Sequence, residues 1–233
     1  PPPPLKRLGQ HFLVDSNIVR KIVALANLGP MDHVLEVGPG RGILTEALCK
    51  AACRVTAIEI DPQLHAYLKS RTQELPNLEL VLGDALTYPL NDLPIGTVVV
   101  ANLPYYLSTP LLFKLLDHRP RFPRMIVMLQ NEVADRLVAK PGRSEYGVLS
   151  VMAQSAADVR KSFRVSPQCF RPRPDVGSAV VSLHTGNCAG LAAGEEASFA
   201  ALVRAAFAHR RKTFVNSLRD EGYDPRQATK ALE

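Results

Sequence analysis

The chain has 233 residues, 46% hydrophobic and 21% charged, enough for one large globular domain with a small appendage and unlike a disordered or fibrous chain. No apolar run approaches the roughly 20 residues that cross a bilayer, so no membrane partner is expected. The net charge of +6 is uneven: between Arg119 and Arg173 eleven Lys or Arg face four acidic residues and the rest is near neutral, which favours a polyanionic partner such as a nucleic acid.

The run Pro1–Pro4 followed by Lys6 and Arg7 lacks the apolar segment of a signal peptide. A cytoplasmic location is therefore expected, although the N-terminus, without an initiator Met, reads as trimmed, and an organelle is the alternative if a targeting segment was removed. Asp15 or Ser16 caps a helix carrying Ile18, Ile22, Val23 and Ala26 on one face. Strands and helices then alternate: strand His33–Val37, helix Arg41–Ala52, strand Arg54–Ile60, helix Pro62–Glu74 and strand Leu78–Leu82. The β-branched run Thr97–Ala101 is the fourth strand, and Ser108 or Thr109 caps a helix to about Asp117. A fifth strand, Arg124–Leu129, and a helix, Asn131–Ala139, follow. This order predicts an α/β fold with a mostly parallel sheet covered on both faces.

Beyond a helix at Gly147–Ser155, the runs Asp158–Val165 and Ser178–His184 flank the proline-rich link Ser166–Pro174, which predicts an antiparallel pair on one edge of the sheet. Residues 1–185 form one domain in this reading, with 186–194 a Gly/Ala-rich linker. Residues 195–233 form a small helical domain, with helices at Glu196–Phe207, Thr213–Glu221 and Pro225–Leu232, that stops abruptly at Glu233 and reads as truncated.

Three strand ends carry cofactor chemistry. Glu36-Val37-Gly38-Pro39-Gly40-Arg41-Gly42 follows the first strand, and Ile43 stands where a dinucleotide fingerprint needs its third glycine. This spacing suits a nucleoside without phosphates better than a pyrophosphate. Glu59 ends the second strand and can take both ribose hydroxyls, and Gly83-Asp84-Ala85 ends the third, where a carboxylate can accept from an adenine amine. The set fits S-adenosylmethionine better than a nicotinamide cofactor, for which no hydride-transfer acid is evident. Cys49, Cys53, Cys169 and Cys188 show no Cys-x-x-Cys or zinc spacing, so they read as reduced packing residues and no metal is expected.

Asn102-Leu103-Pro104-Tyr105 ends the fourth strand with an amide, a stiffened backbone and an aromatic ring, which suits a planar, amine-bearing group. An acceptor pair there, the Asn102 oxygen and a carbonyl near Leu103 or Pro104, would draw an adenine amine towards pyramidal geometry and free its lone pair. Taken alone, the same residues also read as a plain strand exit with a proline turn.

In order along the chain, Gly9-Gln10-His11-Phe12-Leu13, the Glu36–Gly42 segment, Glu59, Gly83-Asp84-Ala85, Asn102-Leu103-Pro104-Tyr105, Ser144-Glu145-Tyr146-Gly147 and Phe170-Arg171-Pro172-Arg173-Pro174 resemble the ribosomal RNA adenine N6,N6-dimethyltransferases. The resemblance runs from Leu8 to about Asp220 and implies a Rossmann-like S-adenosylmethionine-dependent methyltransferase. It implies a cofactor site at His11, Leu13, Gly38, Gly40, Glu59, Ile60, Asp84, Ala85 and Asn102. It implies a reacting site at Asn102, Leu103, Pro104, Tyr105 and Phe170, with Tyr105 and Phe170 stacking on a flipped adenine. Of the family's two branches, Ala205-Ala206-Phe207-Ala208-His209-Arg210-Arg211-Lys212-Thr213 resembles the one acting on two adjacent adenosines in the terminal hairpin of small-subunit rRNA. The other branch methylates large-subunit rRNA and confers antibiotic resistance, and some relatives serve instead as RNA-binding assembly or organelle transcription factors.

The resemblance also implies an rRNA partner within an assembling small subunit, a monomeric enzyme, and RNA contacts from Arg171, Arg173, Arg210, Arg211 and Lys212. The sequence departs from the family pattern at Ser166, where a proline is frequent, and at Gly177, where an acid is common. Both bear on the loop that carries Phe170. The C-terminal module is shorter than the family's, which bears on RNA docking more than on chemistry.

Overall fold

The computed structural model describes residues 2–5, 9–185, 195–209 and 212–230. The expected linker 186–194, Cys188, Arg210 and Arg211 lie outside these residues.

Near the N-terminus, Phe12–Leu13 (β1) precedes Ser16–Ala26 (α1), whose cap is Asp15: its carboxylate accepts from the Asn17 and Ile18 amides. Next come His33–Val37 (β2), Ile43–Ala51 (α2), Arg54–Glu59 (β3), Pro62–Arg71 (α3) and Leu78–Leu82 (β4). The helix expected from Arg41 starts at Ile43, because Gly42 at φ 85° holds the cap position in the left-handed region. Val98–Asn102 (β5), Ser108–Asp117 (α4), Arg124–Gln130 (β6) and Asn131–Val138 (α5) follow. Neither Ser108 nor Thr109 caps α4: Leu107 is the cap, and the Ser108 hydroxyl donates back to the Tyr105 carbonyl at 3.2 Å.

Val148–Ala156 (α6) leads into Asp158–Val165 (β7), Phe170–Arg171 (β8) and Ser178–His184 (β9), and then to Glu196–Phe207 (α7), Phe214–Asp220 (α8) and Pro225–Lys230 (α9). The seven-stranded sheet has the order β4-β3-β2-β5-β6-β9-β7. The five strands from β4 to β6 are parallel, and β9 and β7 add the expected antiparallel pair. The chain steps outward from β2 to β4 on one side and from β5 to β6 on the other, so the strand order switches between β2 and β5. Ligands of open α/β sheets bind at the carboxyl ends beside such a switch.

Alternation along the strands sorts the core into two layers. Leu35, Val99, Val127 and Val181 pack with α4, α5 and α6, whereas Val34, Val98, Ile126 and Val180 pack with α1 and α2. A register shift between Lys161 and Phe163 carries β7 from one layer to the other: Val159 packs on the α6 side and Phe163 on the α1 side. Helices α7–α9 form a small cluster of their own around Ala205, Leu218 and Ala228. It is tied to the sheet domain by Arg119–Glu196 at 3.3 Å and by Tyr146 edge-on to Phe207.

β1 was not foreseen. Its two residues pair antiparallel with β8, Phe12 opposite Arg171 and Leu13 opposite Phe170. No helix among the described residues is long and apolar enough to cross a membrane.

Candidate active site

A cleft of about 930 Å³, its open mouth included, lies at the carboxyl ends of β2, β3, β4 and β5 under a roof formed by residues 9–13. This is the size range of small-ligand sites. Alternation puts Glu36, Glu59 and Asn102 on the α1/α2 face of their strands, so three polar groups converge where Val34, Val55 and Val98 lie one or two steps earlier.

The floor is the Gly38–Gly42 turn. Gly38, Gly40 and Gly42 have φ of 68°, 59° and 85°, a region that side chains disfavour. Gly40 is also crowded, since a Cβ there would sit 3.0 Å from Phe12 Cδ1. Phe12 in turn lies 4.4 Å beneath the Arg41 guanidinium, a cation–π contact that ties roof to floor.

Glu59 is 3% exposed, and its two oxygens accept from the Asp61 amide at 2.9 Å and the Gly40 amide at 3.1 Å. Burial raises its pKa, and the two N–H donors pull against that rise. Its carboxylate lines the cleft, where a pair of ribose hydroxyls could meet it. Asp84 Oδ1 accepts from the Leu86 amide at 2.8 Å, and Oδ2 has no partner among the described residues.

Glu36 was expected only as the head of the glycine turn, and its carboxyl is the most unusual group in the site. It is 1% exposed, and Oε2 and the neighbouring Thr45 hydroxyl are buried without a hydrogen-bond partner of normal geometry. Desolvation pushes its pKa up to about 8. A buried acceptor lining an open cleft suits a ligand that brings a donor or a positive charge, which S-adenosylmethionine does. The acceptors and the turn thus fit that cofactor: Glu59 could take the ribose, Asp84 the adenine amine and Glu36 the charged end, with the glycine turn allowing close approach. Only the break in β2, an acid inside an apolar run, marks Glu36 in the sequence.

At the end of β5 the Asn102 side chain has no hydrogen-bond partner among the described residues. The Leu103 amide is held by the Met128 carbonyl at 3.1 Å, and the Pro104 carbonyl already accepts from Leu107 at 3.1 Å. Of the two carbonyls expected to assist Asn102, that of Leu103 is therefore the one left open. The Tyr105 ring stands 5.5 Å from that of His11, and its hydroxyl is 2.8 Å from the buried Ser178 hydroxyl. His11 Nδ1 lies 2.9 Å from the Pro172 carbonyl.

The structure gathers His11, Leu13, Gly38, Gly40, Glu59, Ile60, Asp84, Ala85, Asn102, Leu103, Pro104 and Tyr105 around this one cleft. Phe170 is not among them. Paired with Leu13, its ring is 0% exposed and packed into the α1/α2 layer, so it forms no wall of the cleft in this structure. Tyr106, half exposed at the mouth, is the further aromatic ring there. Arg171 is exposed but turned back on the Phe170 carbonyl at 2.8 Å, Arg173 is exposed, and Lys212 pairs with Asp220 away from the cleft. No cluster of potential metal ligands occurs among the described residues.

The sequence profile of the ribosomal RNA adenine dimethylase family matches residues 5–232. The ribosomal RNA small subunit methyltransferase A of Geobacter metallireducens is 44% identical over 93% of this chain and 81% of its own length. That of Chlamydia caviae is 45% identical over 93% and 78%. Among solved structures, a dimethyladenosine transferase from Plasmodium falciparum is similar with a TM-score of 0.77 and 34% identity, over 89% of this chain and 74% of that one. The 23S rRNA methyltransferase ErmE also reaches 0.77, at 29% identity, over 95% and 88%. With this cleft, this strand order and these relatives, the chain belongs to the ribosomal RNA adenine dimethylase family.

Proposed function

We propose that this protein converts two adjacent adenosines in the 3′-terminal hairpin of small-subunit rRNA to N6,N6-dimethyladenosine, with S-adenosylmethionine as methyl donor. The observation that carries the reading is the pair of open acceptors, the Asn102 amide and the Leu103 carbonyl, beside a cleft lined by Glu36, Glu59 and Asp84. The small-subunit target is supported by relatives that carry that name at 44–45% identity.

An adenine amine is a weak nucleophile because its lone pair is delocalised into the ring. Asn102 Oδ1 and the Leu103 carbonyl would each accept one amine hydrogen, favouring a pyramidal nitrogen whose lone pair points into the cleft. Bound S-adenosylmethionine supplies an electrophilic methyl group. The protein's own contribution is alignment of the amine and a fixed polar frame, and the proton can leave after transfer. A base inside a duplex cannot reach this depth, so the adenine is extruded, with the Tyr105 ring as its stacking surface. Two such transfers on each adenosine complete the dimethylation.

Arg136, Lys140, Arg143, Arg164 and Arg173 are exposed and carry no ion pair among the described residues, which supports a phosphate-tracking face. We assign residues 1–185 to catalysis, 186–194 to a connection, and 195–233, with Arg210 and Arg211, to RNA contact. The enzyme acts as a monomer in the cytoplasm on an assembling small subunit. The test is incubation with labelled S-adenosylmethionine and either under-methylated small subunits or large-subunit RNA. Label is expected at adjacent adenosines of the small subunit. Label confined to large-subunit RNA would replace this reading with the one to which the likeness to ErmE points, and label on neither would overturn both.

A further inference from the structure

The carboxylate of Asp84 hangs from a single turn of chain, residues 84–88, between β4 and the rest of the domain. The Asp84 carbonyl accepts from the Thr87 and Tyr88 amides at 3.0 and 2.9 Å, and its Oδ1 accepts from Leu86. The amide end of the turn is therefore satisfied from within. Its carbonyl end is not, because a one-turn segment has no following residues to donate.

Lys114 fills that role from α4. Its Nζ lies 3.1 Å from the Ala85 carbonyl, 2.8 Å from that of Leu86 and 2.6 Å from that of Tyr88. An ammonium has three donors, and here each has its own backbone acceptor. Lys114 has no ion pair among the described residues, and it is partly buried. Partial burial lowers its pKa, and the neighbouring Asp84 carboxylate works against that fall. A surface lysine serving only solubility would stay in water. This one gives up solvent to gather three carbonyls, at the start of a loop whose Asp84 and Ala85 line the cleft.

We infer that Lys114 is a positioning residue for cofactor selection: it clamps the 84–88 turn so that Asp84 Oδ2 is aimed at the exocyclic amine of the cofactor's adenine. The placement of α4 makes the clamp a link as well. The helix begins three residues after Tyr105, so the residue that fixes the adenine-reading turn is anchored on the element that follows the reacting Asn102–Tyr105 segment. The inference rests on the reading of Asp84 as the acceptor for that amine.

The test compares binding of S-adenosylhomocysteine with S-inosylhomocysteine, in which a carbonyl oxygen replaces the amine, by calorimetry on the full chain. The oxo group meets the Asp84 carboxylate as acceptor against acceptor, so the wild type should prefer the adenosyl form by about tenfold or more. Asp84→Asn should bring that ratio close to one. Lys114→Met, close in length but without donors, should bring it to within about threefold of unity, and Lys114→Gln, with two donors, should fall between. The ratio separates positioning from general destabilisation, which would weaken both ligands alike and lower the melting temperature. A wild-type ratio in a folded Lys114→Met or Lys114→Gln protein would overturn the inference. A wild-type ratio in Asp84→Asn would overturn the Asp84 reading, and the inference with it. If Lys114→Met does not fold, the Lys114→Gln ratio decides alone.

Discussion

Asn102, whose side chain has no hydrogen-bond partner among the described residues, and Glu36, which has one carboxyl oxygen buried unpaired, each make a prediction. Replacing Asn102 with Ala removes an acceptor that acts on the reacting amine, so methyl transfer should fall by about 10²–10³ or more. Binding of S-adenosylhomocysteine should weaken less than tenfold in calorimetry, and transfer at the wild-type rate would refute the role. Glu36 governs pH dependence instead. Its carboxyl titrates at 4.5 when solvated and at about 8 when folded, so the folded state holds a proton that the unfolded state has lost. Stability of the cofactor-free protein should therefore be greatest below about pH 4.5 for this group, decline as pH rises and level off above about 8. Glu36→Gln removes that slope, and its melting temperature relative to wild type should rise between pH 5 and 8. Asn102, Glu59 and Asp84 were legible in the sequence because each stands at the end of an apolar run. The isolation of Glu36 and the convergence on Lys114 were not, since both depend on which groups lie near in space.

At the level of elements, the glycine turn shows how little room the cleft floor has. Gly40→Ala would place a methyl group 3.0 Å from the Phe12 ring on a residue already at φ 59°. The strain alone should cost about 1–2 kcal/mol, read as a lower denaturant midpoint. Cofactor affinity should fall as well, because the Gly40 amide also holds Glu59. The parallel strands were readable from their β-branched runs, and the antiparallel pair β7–β9 from its proline-rich link. The ribbon of β1 and β8 was not, since two residues carry no alternation and their partners lie about 160 positions apart. The burial of Phe170 was illegible for the same reason: without the pairing to Leu13, nothing in the sequence shows that its ring turns inward in this structure. The cap of α4 differs from the sequence expectation for a local reason, as the Ser108 hydroxyl bonds backwards rather than into the helix.

For the whole molecule, the charge asymmetry in the sequence becomes a surface. Several of the basic residues between Arg119 and Arg173 are absorbed internally, Arg124 by Asp32 at 3.1 Å and Lys161 by Asp135 at 2.6 Å, so the raw excess overstates what RNA can meet. Arg136, Lys140 and Arg143 remain in solvent. Replacing these three with Gln should reduce the slope of log affinity against log salt by about 2 for single-stranded rRNA fragments, with affinity for S-adenosylhomocysteine unchanged. An unchanged slope would move the RNA track elsewhere.

The two-residue ribbon also has a bearing on synthesis. Phe12 and Leu13, which close the cleft from above, are fastened to Phe170 and Arg171, so this segment waits for one made about 160 residues later. A nascent polypeptide holding every strand-end carboxylate, but not yet residue 171, has a binding floor with nothing to close it. Closure of the cleft over a methyl donor would therefore need residues 170 and 171 as well as the strand ends.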